Sequence, residues 1–505
     1  MRKRIFCWLL VLAVLLSGCA NVADGEKKEP CTTHYDANDN GFCDGCNQSV
    51  MTTFDFYSIN DLHGKIVDGE NHPGVDELTT FFKHRRLADD NVVILSAGDM
   101  WQGSSESNLT YGALTTEWMN AVGFAAMALG NHEFDWGEAY IAQNAQLAEF
   151  PFLAINIYDR STDTQVDYCQ SSVVIEADGL QIGIIGAMGD CYSSIAPERV
   201  QDVYFKTGSE LTSLVKQEAE KLRSEGVDFV VYLLHDGYGK SSGSTASVLP
   251  SGQMKSYFDV ALSDGYVDLV FEGHSHQGYV VQDQNGVYHL QNRGDNKGGI
   301  SHVEIAINTV TGSFHVTQKE LVTTDQYSDM ADDSVVQNLL QKYDEQVSVG
   351  RQVVGQNKYY RNSDFLRQTA ADLYYETGLE AWGSNYEIVL GGGYLSVRSP
   401  YDLPAGDVTY SQLQSLFPFD NDLVLCSVRG RELLNKFIHT DNSNYYISGD
   451  AERMGSVDEN KTYYIVVDTY TASYAPNRLT VVERYETGVY ARDLLAKYIE
   501  QGGMA

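Results

Sequence analysis

Carboxylate, imidazole and amide side chains recur in five short motifs in the first 276 residues of a 505-residue chain. Each motif follows an apolar run or opens a loop, and side chains of these types are ligands for zinc, manganese or iron. One such motif would mean little, but five in order are hard to explain as packing. The candidate metal ligands are Asp61, His63, Asp99, Asn131, His235, His274 and His276.

These motifs resemble those of the calcineurin-like metallophosphoesterases, which carry Asp-x-His, Gly-Asp, Gly-Asn-His-Glu, a lone His and Gly-His-x-His. The match covers roughly residues 52–300. The resemblance implies an α/β fold, a four-layer sandwich of two mixed sheets flanked by helices. It also implies two divalent metal ions, zinc, manganese or iron, with Asp99 as the bridging ligand. By the same resemblance, one shell is completed by Asp61, His63 and His276, and the other by Asn131, His235 and His274.

Two further residues are candidates for catalysis. Two metals about 4 Å apart would acidify a bridging water and clamp the phosphoryl oxygens for in-line attack. The resemblance gives His132 the stabilisation of the transition state and the protonation of the leaving group. Asp135 would orient His132 and favour its charged form, although a helix-capping role for that carboxylate is the alternative.

Apolar runs predict the strands that position these motifs. They lie at residues 54–59, 91–96, 152–157, 181–185, 229–234 and 267–271. Continuous apolar runs suit strands that are buried on both faces. A helix is predicted from Ser209, as N-cap, to Glu225, with Gly226 as its stop. Alternating strands and helices predict an α/β sandwich, with its site at the ends of the strands.

The second half of the chain resembles the substrate-binding domain of the 5'-nucleotidase family. The resemblance rests on Gly391-Gly392-Gly393 followed by Arg398, and on Phe417-Pro418-Phe419-Asp420-Asn421. The glycines predict a loop that approaches a ligand closely. Arg398 could grip a phosphate, and Phe419 could stack on a base. The candidate substrate-binding residues are Arg361, Arg398, Phe419 and Tyr474, and Tyr470 is an alternative to Tyr474.

Together the two resemblances predict metal-dependent hydrolysis of nucleotide phosphate esters, as in nucleotide catabolism. A nucleoside 5'-monophosphate is the expected substrate, and nucleoside and phosphate are the products. UDP-sugars and 2',3'-cyclic nucleotides are close variants. A non-catalytic nucleotide-binding surface lipoprotein is the alternative of another class. Intact Asp99, Asn131 and His132 favour the enzyme.

The N-terminal residues predict export. Arg2, Lys3 and Arg4 precede an apolar run at residues 5–16, and Leu16-Ser17-Gly18-Cys19 resembles a bacterial lipobox. We expect a signal peptide at residues 1–18 and lipidation of Cys19, which would hold the protein on the outer face of the cell membrane by its lipid alone. The alternative is an ordinary signal peptide. The net charge of -34 argues against nucleic-acid polymers as partners.

The remaining organisation follows from composition. Residues 19–51 are polar and are expected to form a tether. A metallophosphoesterase domain is expected at 52–325, a helical linker at 326–350 and the substrate-binding domain at 351–505. Outside the cytoplasm Cys169 and Cys191 could form a disulfide, although two free thiols are the alternative.

The tether contains a cluster of potential metal ligands. Three thiols and an imidazole at such spacings could close a tetrahedral zinc site, and a disordered, disulfide-linked spacer is the alternative. The four residues are Cys31, His34, Cys43 and Cys46. Asp36, Asn38 and Asn40 are spaced like the start of a calcium loop, but Asn47 stands where such a loop needs its twelfth-position Glu.

Overall fold

The computed structural model describes eleven stretches of the chain: residues 31, 33–69, 73–237, 247–248, 254–255, 266–283, 285–294, 299–398, 402–440, 445–473 and 478–504. Two units are distinguished. The small unit is the described part of residues 1–51 with Asn308–Ser313, and the large unit is Thr52–Ile307 with Phe314–Ala505. The predicted signal peptide, Cys19 and Tyr474 lie outside the described residues. Among the described residues, no helix combines the length and apolar character that a membrane crossing requires.

Two six-stranded sheets form the first half of the large unit. In spatial order, the first sheet consists of Phe314–Val322, Ile300–Asn308, Met51–Ile59, Val92–Ser96, Ala126–Ala128 and Phe152–Leu153. The second consists of Tyr279–Gln282, Tyr288–Gln291, Leu269–Glu272, Phe229–His235, Leu180–Met188 and Ser172–Ala177. Each sheet contains both parallel and antiparallel neighbours, so both are mixed.

The two sheets face each other across an apolar core. Phe54 and Phe56 of the first sheet are fully buried with Ile182, Phe229 and Val231 of the second. The rings of Phe56 and Phe229 stack with centroids 5.7 Å apart. Because these strands are covered on both faces, they are continuously apolar, as the sequence predicts.

Helices cover the outer faces of the sheets. The first five span Asp76–Ala88, Ser105–Leu109, Ala113–Val122, Glu138–Leu147 and Gly208–Ser224. Phe81 and Phe82 of the first helix pack edge-on against Tyr57 of the first sheet. The fifth helix buries Leu211 and Val215 in a cluster with strands of the second sheet. This order of layers confirms the predicted four-layer α/β sandwich.

Some predicted elements differ from the observed ones. The run at 152–157 forms two short strands, Phe152–Leu153 and Ile157–Asp159, rather than one. Asn156 interrupts it because its side chain bonds the backbone N–H and C=O of Met188. The predicted helix from Ser209 begins one residue earlier, and its N-cap is Thr207. Further short strands are Val203–Phe205, Ser247–Val248 and Met254–Lys255.

A helical connector follows the two sheets. It consists of Ser334–Lys342, Asp344–Val347 and a 3-10 turn at Ser348–Arg351. The Asp333 carboxylate caps the first of these helices by accepting from the Val335 N–H. Lys83 forms an ion pair with the same carboxylate at 2.6 Å.

The last third of the chain forms a five-stranded mixed sheet with helices. Its spatial order is Tyr445–Gly449, Ile388–Tyr394, Thr462–Asp468, Leu423–Arg429 and Thr480–Arg484. The helices are Ser363–Trp382, Tyr410–Leu416, Gly430–Leu433, Ala451–Gly455, Thr469–Ser473 and Ala491–Glu500, with a π-helical turn at Leu434–Ile438. A separate strand pair, Val353–Asn357 with Gly406–Thr409, completes this region.

Candidate dimetal site

Side chains from five separate segments of the large unit converge at the ends of the strands. Three groups of ligand atoms each lie within 4.8 Å of one another. The groups are Asp61, His63 and His276; Asp61, Asp99 and His235; and Cys191, His235 and His274. Because Asp61 and His235 each belong to two groups, the three groups form one continuous cluster. The side chain of Asn131 joins it, with its Oδ1 2.9 Å from His274 Nδ1.

The turns that follow two neighbouring strands hold the first ligands in place. Strands Met51–Ile59 and Val92–Ser96 run parallel and in register, so the segments after them leave the sheet together. The Asp61 N–H donates to Gly98 O at 2.9 Å, and the His63 N–H donates to Asp99 O at 3.1 Å. The sheet thereby fixes the spacing of Asp61, His63 and Asp99.

Five of these residues have a left-handed backbone conformation. The φ angles are 52° at Asp61, 52° at His63, 57° at Asp99, 71° at His274 and 54° at His276. Non-glycine residues rarely adopt positive φ because Cβ is crowded there. Such values at five clustered polar residues indicate that the fold accepts local strain to aim these side chains inward.

Hydrogen bonds fix the orientation of two imidazoles. His63 Nδ1 lies 2.8 Å from Gln102 O, and His235 Nδ1 lies 2.6 Å from Ala97 O. A carbonyl can only accept, so each Nδ1 carries the proton. Backbone carbonyls commonly orient metal-binding histidines in this way. Burial, reinforced by Arg398, holds the pKa of His63 well below its usual value, so Nε2 of His63 presents a lone pair to the cluster.

The middle of the cluster combines carboxylate, imidazole and amide groups. His235 Nε2 lies 3.2 Å from Asp99 Oδ2 and 3.2 Å from the side-chain oxygen of Asn131. Although burial opposes a charged ring, the Asp99 carboxylate raises the pKa of His235 to about 10. Carboxylate, imidazole and amide donors in this arrangement fit divalent transition metals.

Cys191 also reaches the cluster, which sequence reasoning missed. Its Sγ lies 2.9 Å from His235 O, and burial raises the pKa of the thiol well above its usual value. A protonated thiol that donates to a carbonyl is a poor metal ligand. Cys169 and Cys191 are both free thiols, so the disulfide considered for them is absent.

His132 lies beside the cluster and is held from two sides. Its Nδ1 is 2.8 Å from Asp135 Oδ2, and its Nε2 is 2.7 Å from Nη2 of Arg398. The guanidinium can only donate, so Nε2 accepts and the ring proton lies on Nδ1. Asp135 thus bonds His132 as the sequence predicts. Arg398, which lies 266 residues further along the chain, is brought to the same ring.

Glu133 has a structural role next to the ligands. One of its oxygens accepts from the N–H groups of Asp99 and Gly130, and the other accepts from the N–H of Met100. The side chain is fully buried. It therefore holds together the turns that carry Asp99 and Asn131.

A pocket opens beside His132. Residues from both halves of the large unit line it: His132, Asp135, Ser194, Ala196, Arg199, Tyr394, Ser396, Phe419, Asp420, Asn421 and Tyr470. The Phe419 ring centroid is 6.0 Å from that of His132, and the Arg398 guanidinium carbon lies 5.6 Å from the Phe419 ring centroid. Arg398 and Phe419 thus meet beside the metal cluster, as the sequence resemblance implies.

Of the other candidate substrate-binding residues, one lines the pocket and one does not. Neither Arg361 nor Arg398 is among the lining residues, but Arg398 contacts His132 and Phe419, which are. The guanidinium carbon of Arg361 lies 4.2 Å from the Phe365 ring centroid instead. Tyr470 lines the pocket and approaches Tyr394, with ring centroids 5.8 Å apart. Tyr474 lies outside the described residues.

The triple glycine does not form the loop expected from the sequence. Gly391, Gly392 and Gly393 lie in the strand Ile388–Tyr394. A Cβ on Gly391 would lie 2.3 Å from Tyr375 N, and one on Gly393 would lie 2.6 Å from the Thr471 side chain. The glycines are therefore needed because neighbouring elements pack closely on this strand.

Sequence reasoning also missed two arginines that fix the loop around Phe419. Arg199 donates to Asp420 O at 2.9 Å. Arg492 is buried, pairs with the Asp420 carboxylate and donates to the backbone oxygens of Phe417 and Phe419. No local motif marks either residue, since each contact spans at least 72 positions of the chain.

Comparison with known proteins agrees with this geometry. Residues 54–278 match the family model for the calcineurin-like phosphoesterases. UshA of Yersinia enterocolitica is 27% identical over 483 residues, which cover 83% of this chain and 84% of that protein. The 5'-nucleotidase of Vibrio cholerae is 24% identical over 382 residues, which cover 68% of this chain and 67% of that protein.

Solved structures share the fold. The 5'-nucleotidase precursor of Thermus thermophilus superimposes with a TM-score of 0.65 at 22% identity, over 89% of this chain and 96% of that one. The 5'-nucleotidase of Candida albicans gives 0.62 at 14% identity, over 88% of this chain and 98% of that one. The similarity extends over both halves of the large unit.

Proposed function

We propose that this chain, which contains a calcineurin-like phosphoesterase domain at residues 54–278, is a phosphoric ester hydrolase that converts nucleoside 5'-monophosphates to nucleoside and phosphate. One observation carries the proposal. An arginine and an aromatic ring, Arg398 and Phe419, meet His132 at a pocket beside a cluster of metal-binding side chains. This combination suits an anionic phosphate joined to a flat base.

Calcineurin-like phosphoesterases use a dinuclear divalent metal centre, and the cluster offers the donors for one. In the proposed assignment, Asp61, His63 and His276 would hold one ion. Asn131, His235 and His274 would hold the other, and Asp99 would be a ligand of both. When bound, the ions would supply an acidified water as nucleophile and positive charge for the phosphoryl oxygens.

The chain's own residues have distinct tasks in this proposal. Arg398 donates to a phosphate oxygen in place of its present acceptor, His132 Nε2, which lies 2.7 Å away. Once released, His132 Nε2 can take up a proton from solvent and donate it to the leaving-group oxygen of the ester. Asp135, 2.8 Å from Nδ1, keeps the ring in the orientation that allows this. His132 and Arg398 thus act on the same phosphate ester.

Aromatic side chains would recognise the base. Phe419, Tyr394 and Tyr470 line the same pocket. Stacking on an aromatic ring contributes roughly 1–3 kcal/mol per base with little dependence on sequence. Substrate preference would therefore depend more on the presence of a base than on which base it is. Tyr470 takes the role that the sequence left open between it and Tyr474.

A substrate panel tests the proposal. Purified protein with manganese or zinc is given AMP, UDP-glucose, 2',3'-cyclic AMP and p-nitrophenyl phosphate, and released phosphate or nitrophenol is measured. We expect AMP to give the highest kcat/KM. Phe419→Ala should lower kcat/KM for AMP about 5- to 150-fold and leave p-nitrophenyl phosphate much less affected. Phe42→Ala, in the small unit, is the matched control.

Two results would contradict the proposal. If no ester were hydrolysed under either metal while AMP still bound, the chain would be a binding protein. If Phe419→Ala lowered kcat/KM equally for AMP and for p-nitrophenyl phosphate, the proposal that this pocket recognises a base would be wrong.

We also propose export and lipid attachment. Support comes from the basic residues Arg2–Arg4, the apolar run at 5–16 and Cys19 in its lipobox-like context. Expression in a bacterium with labelled fatty acid should label the protein, and Cys19→Ser should abolish the label. A secreted, unlabelled wild-type protein would instead indicate an ordinary signal peptide.

The domain boundaries expected from the sequence remain our proposal for the large unit. A metallophosphoesterase domain would occupy residues 52–325 and a substrate-binding domain 351–505, with 326–350 between them. Support comes from the separate sheets on the two sides of the connector. Expression of residues 52–325 alone should retain metal binding but lose selectivity for AMP over p-nitrophenyl phosphate.

A further inference from the structure

The small unit contains a second cluster of metal-binding side chains. The Sγ atoms of Cys31, Cys43 and Cys46 lie within 4.8 Å of one another, with Cys31 and Cys43 3.9 Å apart. His34 completes the group, since its Nδ1 is 3.5 Å from Cys46 Sγ. All three cysteines are free thiols, so the disulfide-linked spacer considered from the sequence is not what is observed.

The spacing of these atoms matches the edges of a zinc tetrahedron. Zinc lies about 2.3 Å from sulfur and about 2.0 Å from nitrogen. A regular tetrahedron with those bonds has edges of about 3.8 Å between two sulfurs and about 3.5 Å between sulfur and nitrogen. The observed 3.9 Å for Cys31 and Cys43 and 3.5 Å for His34 and Cys46 are close to both values.

The backbone around Cys43 brings the sulfurs together. The Asn47 N–H donates to Cys43 O at 2.7 Å, which closes a tight turn through Cys43-Asp-Gly-Cys46. A Cβ on Gly45 would lie 2.7 Å from Cys31 Sγ, so the turn needs glycine at this position to let the sulfurs converge.

Among the described residues of the small unit, the apolar core is very small. It consists of Cys43, Cys46 and Val50, with Cys31 packed against them. Below about 40 residues, a chain usually needs disulfides, metals or oligomerisation for stability. Three of these four residues are cysteines, so the same side chains form most of the core and most of the ligand cluster.

The neighbouring acidic residues connect two segments of the small unit. Asp36 accepts from the N–H groups of Asn40 and Gly41 and from the side-chain amide of Asn308. Asp39 accepts from Thr311 and Ser313. These hydrogen bonds tie the segment of residues 36–41 to the turn Asn308–Ser313 within the small unit.

We propose that Cys31, His34, Cys43 and Cys46 bind one zinc ion in a closed tetrahedral site that folds the small unit. Four protein ligands leave no position for water or substrate, which is the arrangement of a structural site. The site is separate from the dimetal cluster and serves no step in ester hydrolysis.

Metal analysis of the full chain tests the proposal. Zinc per chain is measured by mass spectrometry after dialysis, in wild type and in Cys43→Ala/Cys46→Ala. We expect the double variant to hold one zinc equivalent fewer and to hydrolyse p-nitrophenyl phosphate at the wild-type rate within twofold. Cys169→Ala/Cys426→Ala, which removes two buried thiols elsewhere, is the control and should keep all its zinc.

Variants of His34 separate loss of a ligand from damage to the fold. His34→Cys offers four thiolates and should retain the zinc, whereas His34→Phe should lose it or release it faster to a chelator. In wild type, the three site thiols should resist alkylation until a chelator is added.

Equal zinc content in wild type and Cys43→Ala/Cys46→Ala would overturn the proposal. A disulfide among these cysteines in the native protein would overturn it as well. Loss of ester hydrolysis with zinc retained would also overturn the separation of the two sites. The first two results would leave the hydrolysis proposed for the dimetal cluster untouched, since p-nitrophenyl phosphate turnover reports on that cluster separately.

Discussion

The pairing of Asp135 with His132 makes a quantitative prediction. Asp135→Asn keeps the size of the side chain but removes the charge from a contact of 2.8 Å, in which each side chain is 18% exposed. A hydrogen bond to a charged group contributes about 1.5–3 kcal/mol and a neutral one about 0.5–1.5 kcal/mol. The difference, about 1–2 kcal/mol, corresponds to a fall in kcat of about 5- to 30-fold.

A double variant shows whether Asp135 acts through His132. His132→Ala removes the ring that contacts the leaving group and should lower kcat by about 10²- to 10⁴-fold. If the only catalytic contribution of Asp135 is to orient that ring, Asp135→Asn should cost nothing once the ring is gone. The double variant should then have the kcat of His132→Ala within about twofold.

The assay is steady-state release of phosphate from AMP with saturating manganese, and bound metal is measured in every variant. Metal content should not change in these variants. The contact between His132 and Asp99 is made by the backbone N–H of His132, which the substitutions leave in place. Asp167→Asn, an exposed carboxylate, serves as the control. The reasoning is refuted if Asp135→Asn retains the wild-type kcat, or if the two losses multiply in the double variant.

Three further predictions concern the framework of the site. Arg492→Met should lower the free energy of unfolding by about 3–5 kcal/mol, because the Asp420 carboxylate is left without the guanidinium that it pairs with. Urea titration measures this free energy, and a decrease below about 1 kcal/mol would contradict the prediction. Burial raises the pKa of Asp468 to about 6, so its contribution to stability is complete below pH of about 4 and is lost as the pH rises through about 6. Melting temperatures should therefore fall across that window in wild type more than in Asp468→Asn, and parallel curves would refute the assignment. Gly98→Ala would put a Cβ 2.7 Å from His235 Nδ1 at a φ of 91°, so we expect bound metal to decrease, and full metal occupancy would show that the turn can adjust.

Much of the metal cluster could be predicted from sequence because the patterns that mark its ligands are local in the chain. Each ligand lies within a few residues of a strand-like apolar run or a Gly-containing turn, and strands of one sheet bring their ends together. Asp61 and Asp99 illustrate this, since they follow parallel neighbours that are in register. The two sheets and their helices follow from the same alternation of apolar runs.

The substrate pocket could be predicted only in part, because its contacts are not local. Arg492 supports Phe419 from 73 positions away, and Arg199 reaches Asp420 from 221 positions away. The triple glycine was misread as a loop for the same reason. Glycine is required at position 391 because a Cβ there would clash with the backbone of Tyr375. No residue close to Gly391 in the sequence indicates this contact.

The left-handed backbone at Asp61, His63, Asp99, His274 and His276 has a consequence for protein engineering. Glycine would relieve about 1–2 kcal/mol at each such position. Selection for heat tolerance alone would thus favour glycine at five positions that hold candidate metal ligands. Thermostabilisation of this scaffold should hold those five positions fixed and look for gains elsewhere.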